Sequence, residues 1–283
     1  MEDALSDILT LDLDPEATKQ KYGPWAVIAG GSDGTGEAYA RHLASVGINI
    51  MLVARRAEVL DALASDLRAA YNVETRTLVQ DLMAPDAARN MLDAAADIDV
   101  GIYVSNAGCD GTGAHFFKEP VERWHRLASM NVRTLTEAVH GFGNRFIARG
   151  SGGIVVMSSG GGLGGTPYLS MYSATKGFEL VLVEGLWGEL IGTGVEIVCV
   201  IAPAMDTPFF RREIAGEDFI IKHLFQPDEV TKGGLEGLGK TPMVMFESAR
   251  RKDPETVVNA RHEELLQSLE AGKSFFKKGE KVA

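Results

Sequence analysis

Tyr172-Ser-Ala-Thr-Lys176 sets a phenol and an amine four residues apart, close to one helical turn, so that both fall on one face of a helix. Thirteen residues before Tyr172 stands Ser159, at the end of an apolar run and ahead of the glycine-rich stretch 160–165. A phenol ionises near pH ~10 and is a poor proton donor or acceptor at neutral pH. A neighbouring ammonium favours the phenolate and lowers that pKa, and a serine hydroxyl can hold a substrate oxygen. The three groups together meet the needs of proton transfer to or from a carbonyl oxygen. A Tyr–Lys pair at this spacing also arises on ordinary amphipathic helices, so the reading depends on what surrounds it.

A second signal lies near the start of the chain. The apolar run 25–30 leads directly into Ala29-Gly30-Gly31-Ser32-Asp33-Gly34-Thr35-Gly36 and then into a helical pattern. Glycines at a strand-to-helix turn permit a tight bend, close approach of a pyrophosphate to the backbone and close helix–strand packing. The helix N-terminus adds free N–H groups and the positive end of its dipole. Three glycines alone are weak, but opening the first strand–helix unit they point to dinucleotide binding through Gly30, Ser32, Asp33, Gly34, Thr35 and Gly36. The second apolar run ends Val53-Ala54-Arg55-Arg56. A free ribose 2′-hydroxyl wants an acid at that point and a 2′-phosphate wants arginine. Ala54 with Arg55 and Arg56 after it therefore favours NADP over NAD, which stays possible. The plain alternative, a solvated Arg pair opening a helix, sits poorly with the helix dipole.

The elements that must carry these groups follow from periodicity. Strands are expected at 25–30, 48–54, 73–79, 100–105, 153–159, 195–202 and 242–246, and helices at 34–47, 58–70, 85–95, 121–148, 168–191, 227–239 and around 254–270. The strands are near-continuous apolar runs, the pattern of a parallel sheet covered on both faces. Regular alternation with helices predicts an α/β, doubly wound parallel sheet of about seven strands with right-handed crossovers. There are no repeats or linkers, so one domain is expected over 1–283, with a core at 25–246. An aromatic-rich connection at 208–226 reads as an apolar lid, and 247–283 reads as a charged tail with a helix.

Composition excludes several classes. The chain has 283 residues, 45% hydrophobic and 24% charged, as a folded protein should. Its net charge of −11 argues against nucleic-acid binding, which needs a basic face. Two separated cysteines, Cys109 and Cys199, form neither a disulfide framework nor a CxxC site, and the scattered histidines supply no metal motif. No run reaches the roughly 20 apolar residues of a membrane span, and the acidic start is unlike a signal peptide. A cytoplasmic location with a small-molecule substrate is the expectation.

In order along the chain, these landmarks resemble the short-chain dehydrogenases/reductases, in the branch with a T-G-x-x-x-G-x-G turn. The resemblance spans roughly 25–246. It rests on Gly30, Gly34 and Gly36; on Asp81 and the following Leu82; on Ser105-Asn106-Ala107-Gly108; on Asn131; on Ser159, Tyr172 and Lys176; and on Ala202-Pro203-Ala204-Met205-Asp206-Thr207. It implies a Rossmann-type fold and a nicotinamide cofactor touched by Asp81, Leu82, Asn106, Ala107, Gly108, Tyr172, Lys176, Pro203, Met205 and Thr207. It also implies Tyr172 as acid/base, with Lys176, Ser159 and Asn131 completing the catalytic set, Asn131 through a water relay. Ala29, Thr35, Ser105 and Ala204 depart from the family's usual Thr, Ile, Asn and Gly, and none removes a proton-transfer group. Homodimers or homotetramers packed through the two long helices, which carry Trp124 and Trp187, are further implied.

Two functions are then open. One is an NAD(P)-dependent oxidoreductase interconverting a secondary alcohol and a ketone, on a hydrophobic steroid-like, acyl or aryl substrate. The other is a catalytically silent NADP-binding regulator on the same fold, for which loss of the Tyr or Lys would be usual.

Overall fold

Seven strands lie side by side, all parallel, in the order β3-β2-β1-β4-β5-β6-β7. They are β1 (Trp25–Ala29), β2 (Asn49–Ala54), β3 (Thr75–Val79), β4 (Val100–Ser105), β5 (Gly152–Ser159), β6 (Val195–Ala202) and β7 (Met243–Met245). The computed structural model describes residues 14–108, 113–213 and 224–246, together with Val258, Asn259, His262, Glu263 and Leu266. Successive strand side chains feed two cores. Ala26, Ile28, Ile50 and Leu52 join one face, and Val27, Ala29, Met51 and Val53 the other. Burial on both faces is why these strands read as unbroken apolar runs.

The first core is closed by α2 (Thr35–Ser45), α3 (Ala57–Tyr71) and α9 (Pro227–Gly237), through Tyr39, Leu43, Leu60, Leu67, Val230 and Leu235. The second is closed by α4 (Ala87–Ala94), α6 (Leu135–Arg149) and α7 (Ser170–Glu189), through Met91, Val139, Phe142, Phe146, Leu180 and Val183. This is the predicted doubly wound sheet. The strand order reverses between β1 and β4, and ligands of such sheets bind at the carboxyl ends of the strands beside that reversal.

Besides shifts of one or two residues at element ends, three features differ from the sequence reading. The helix expected over 121–148 is two helices, α5 (Val121–Ala128) and α6, joined by a π-helical turn at Ser129–Thr134. Asn131 lies within that turn, and its amide donates to Thr175 Oγ1 at 2.9 Å, a tie to α7 that periodicity cannot register. The helix expected from residue 168 starts at Ser170, because Tyr168 takes φ +66 and turns the chain. A further helix, α1 (Pro15–Tyr22), precedes β1; Asp14 caps it and Pro15 opens it.

Trp124 and Trp187 each have an aromatic partner within the chain. Trp124 is buried within the chain, stacked on Phe116, with its indole donating to the Phe116 carbonyl at 3.1 Å. Trp187 meets His262 edge-on, so the described part of the tail packs back on α7. Of the expected lid, 208–213 forms α8 (Pro208–Glu213), with Phe210 buried, and Phe225 bridges Met205. Phe219, Ile220, Ile221 and Cys109 lie outside the described residues, as does most of 247–283.

Candidate active site

At the end of β1 the chain bends at Gly30, whose φ is +87. A Cβ there would lie 2.7 Å from the Ala107 nitrogen, so only glycine lets this turn pass beneath the segment after β4. Backbone bonds close the junction: Gly30 N–H donates to Val53 O at 2.8 Å, and Asn106 and Ala107 N–H both donate to Ala29 O at 2.9 Å. The Asn106 side chain donates to Gly30 O at 3.0 Å, while its Oδ1 is buried with no protein partner. Gly36, in the first turn of α2, sits so close to Gly30 that a side chain would strike the Gly30 carbonyl. Thr35 opens α2, whose N-terminal turn adjoins this bend at Gly36.

Around the turn the predicted contacts separate. Arg56 reaches back to Asp33 Oδ2 at 3.1 Å and Ser32 Oγ at 3.4 Å, tying the end of β2 to the glycine turn. Arg55 is exposed beside it. Asp81 accepts Met83 N–H at 3.0 Å, a local turn cap. Leu82 packs its side chain into the core, and its carbonyl accepts the Thr134 hydroxyl at 2.9 Å. Thr207 lies against Gly34, within 3.0 Å of where a Cβ would be, which brings the segment holding Pro203 and Met205 over the turn. Its hydroxyl accepts Phe210 N–H at 3.0 Å.

The proton-transfer set assembles one strand further along. Ser159 ends β5, and its hydroxyl accepts Gly161 N–H at 3.1 Å. A Cβ on Gly161 would lie 3.3 Å from the Tyr172 ring and 3.5 Å from Ser159 Oγ, so the two groups flank this one residue. Lys176 follows one turn on, with Nζ 5.9 Å from the Tyr172 ring centre. A Cβ on Gly108 would lie 2.7 Å from Lys176 Nζ and 3.0 Å from Asn131 Oδ1. Glycine at 108 is thus what allows these two groups to converge. Asn131 is 1% exposed and its Oδ1 has no protein partner. The sequence-predicted Asn131, Ser159, Tyr172 and Lys176 therefore come together, beside Asn106, Ala107 and Gly108 and next to the glycine turn.

One neighbour escaped the sequence reading. Lys176 Nζ donates to Met157 O at 2.7 Å and to both oxygens of Glu179, at 3.1 and 2.9 Å. Burial pushes the Glu179 carboxyl up to about 7, against the charge and hydrogen bond of Lys176 and the Ser158 hydroxyl, which pull it down. The signal was an acid three residues beyond Lys176, at the start of an apolar helical stretch.

The residues present fit a dinucleotide. The cradle at Gly30 and Gly36 tolerates no side chain, the N-terminus of α2 opens on it, and Asn106 and Asn131 keep buried oxygens without protein partners. Among the described residues no group of three His, Cys, Asp or Glu could hold a metal ion, and no helix is long and apolar enough to cross a membrane.

The profile of the short chain dehydrogenase family matches residues 24–218. The chain is 30% identical over 249 residues to a 7beta-hydroxysteroid dehydrogenase of Collinsella aerofaciens, covering 87% of this chain and 94% of that protein. A structure solved in work on 7beta-hydroxysteroid dehydrogenase stereoselectivity superposes with a TM-score of 0.78 at 28% identity, covering 89% of this chain and 98% of that one. A short-chain dehydrogenase from Sphingobium yanoikuyae in complex with NADPH superposes with a TM-score of 0.74 at 28% identity, covering 92% and 99%. The catalytically silent reading is not favoured by such relatives. This chain belongs to the short-chain dehydrogenase family and is an NAD(P)-dependent oxidoreductase that interconverts an alcohol and a ketone.

Proposed function

We propose that the chain is an NADP(H)-preferring oxidoreductase acting on a hydrophobic secondary alcohol or ketone of steroid-like, acyl or aryl type. The observation that carries the reading is the convergence of Ser159 and Tyr172 around Gly161, with Lys176 and Asn131 meeting at Gly108 behind them. When bound, the nicotinamide cofactor supplies or accepts the hydride. Tyr172 gives the proton to the substrate oxygen in reduction and takes it in oxidation. The Ser159 hydroxyl donates to that same oxygen and fixes its place. Lys176 favours the phenolate by its charge and would turn one of its three donors from Met157 O or Glu179 to the cofactor's ribose. Asn131 holds its amide on Thr175 and leaves its oxygen toward Lys176, suited to a bridging water.

The glycine turn and the N-terminus of α2 would hold the pyrophosphate, and Asp81 with Leu82 would border the adenine. Asn106, Ala107, Gly108, Pro203, Met205 and Thr207 would border the rest of the cofactor. Arg55 supports the NADP preference: it is exposed after Ala54, where an acid would otherwise claim the ribose. Arg56 and Asp33 would orient the turn beside it. The apolar substrate is supported by His115, Phe116, Phe117 and Tyr168. Phe117 is 95% exposed, and the His115 and Tyr168 rings meet edge-on near the start of α7. The names of the hydroxysteroid relatives agree with this class.

A homodimer or homotetramer in the cytoplasm completes the proposal. Val121 on α5, Ile147 on α6 and Val181 on α7 are exposed apolar residues that a second copy would cover, and the buried Cys199 is a free thiol. The test is a screen of NADPH and NADH oxidation against ketosteroids, 3-oxoacyl thioesters and aryl ketones, with light scattering for size. Turnover with at least one apolar ketone and NADPH is expected. Cofactor binding without turnover on any of them, or a monomer at micromolar concentration, would overturn the corresponding part.

A further inference from the structure

Behind Lys176 lies a carboxylate that the proton-transfer set does not call for. Tyr172, Lys176 and Glu179 are spaced i, i+4 and i+7 along α7 and so share one stripe of the helix. Lys176 and Glu179 are each 2% exposed, and the ammonium bonds to both Glu179 oxygens and to Met157 O while also standing near Gly108, Asn131 and the Tyr172 ring. Withdrawing two charges from water is costly, and a buried pair is weak evidence of added stability. An apolar residue at 179 would avoid the carboxylate's share of that cost, but it would leave the ammonium to act on Tyr172 at full strength.

We propose that Glu179 is a positioning residue: its carboxylate holds Lys176 as an ion pair and offsets the positive charge that Lys176 turns toward Tyr172. With the carboxylate ionised, Tyr172 faces a nearly neutral pair and its phenol stays a weaker acid. With the carboxyl protonated, Tyr172 faces an uncompensated cation and becomes a stronger acid. The ionisable groups that bear on Glu179 are few. Lys176 lies on its own helix, and Cys199 faces it from β6, its thiol held neutral because burial pushes its pKa far up. The Ser158 hydroxyl approaches from β5, and Glu184, further along α7, acts on Cys199. Burial raises the Glu179 carboxyl into the neutral range, so the offset changes across working pH.

The proposal rests on the reading of Tyr172 as acid/base only for its kinetic consequence, and its test separates the two. The ultraviolet absorbance of ionised tyrosine is followed through an alkaline titration of the full chain, without substrate. Subtracting the Tyr172→Phe trace isolates the one phenol. Glu179→Gln should move the Tyr172 midpoint to lower pH by on the order of one unit. The acid limb of kcat/KM for alcohol oxidation, where Tyr172 is the base, should move the same way. An unmoved midpoint, or one at higher pH, overturns the proposal. If Glu179→Gln does not fold, Glu179→Met, which keeps the length of the side chain and removes its charge, is titrated with Lys176 intact. Its midpoint should likewise lie at lower pH than that of wild type, and an equal or higher midpoint overturns the proposal. Full turnover in Tyr172→Phe would instead refute the acid/base reading and leave the titration to decide on Glu179.

Discussion

Replacing Gly30 by alanine should damage folding and cofactor binding together, and the structure sets the size of the effect. At φ +87 an L-residue meets the left-handed penalty of about 1–2 kcal/mol. The new Cβ would also stand 2.7 Å from Ala107 N and 2.9 Å from Ala107 Cβ, where ordinary contact begins near 3.4 Å. Those neighbours are backbone-anchored, since Ala107 N–H is held on Ala29 O at 2.9 Å, so the strain cannot be relieved by a rotamer change. Overpacking of this kind costs about 1–3 kcal/mol. The combined loss of about 2–5 kcal/mol should lower Tm by roughly 5–15 °C in a chain of this size. Because the same displacement pulls Asn106 from the Gly30 carbonyl, NADPH affinity measured by fluorescence should fall at least about tenfold, equivalent to ~1.4 kcal/mol. The control is Gly143→Ala in the interior of α6. There the nearest outside atom to a new Cβ is Ile154 Cδ1 at 3.8 Å, and helix propensity should add up to about 1 kcal/mol. A Gly30→Ala protein with unchanged Tm and unchanged NADPH affinity would show that the turn is not held as described.

Tyr172→Phe should keep the fold and NADPH binding while turnover falls about 10²–10⁴-fold, read by steady-state kinetics beside a binding titration. The pair Ala54→Asp with Arg55→Ala should move the kcat/KM ratio toward NADH by roughly ten- to hundredfold, the equivalent of about 1.5–3 kcal/mol of charge-assisted hydrogen bonding; an unchanged ratio removes Arg55 from the 2′-phosphate. Stability should also carry a mark of Glu179. Its folded pKa, about 7, lies above its ordinary value of 4.5, so the folded chain binds more protons between those two values. That contribution is fully present below about pH 4.5 and is lost as pH rises through about 7, by up to about 3 kcal/mol. Denaturant titrations of wild type and Glu179→Gln across pH 4–8 should diverge with that sign, and parallel curves would contradict the burial of this acid.

Much of the frame was legible because it depends on local pattern. The runs that became β1, β4 and β6 are apolar on both sides, so strand type and ends followed from composition alone. The turn at Gly30 and the stripe of Tyr172 and Lys176 were legible because spacing and residue type suffice to define them. What was missed depends on tertiary partners. The π-turn needs Thr175 to receive Asn131, and the start of α7 needs the Tyr168 carbonyl to accept Ala114 N–H at 2.7 Å. Helix α1 was overlooked because it is polar on most sides, burying only Thr18 and Tyr22, although Asp14 before Pro15 is a local start signal. Glu179 was hidden by the opposite circumstance: like Glu184 and Glu189 after it, an acid among apolar helical residues looks like an exposed interruption until its cation is seen beside it.

The π-turn at Ser129–Thr134 also sets how the helix on either side of it is phased. An extra residue inside a helix advances every position beyond it by about 100° of rotation. A helical wheel drawn straight through residues 121–149 would therefore set Trp124 and Phe142, both buried, on one line, although the π-turn between them rotates them onto different faces. The chain carries a one-residue frame offset between its aromatic wall at Phe116 and Trp124 and its sheet-facing core, and Asn131 sits at the seam. Deleting a single residue there would leave a perfectly good helix in which one half faces the wrong way.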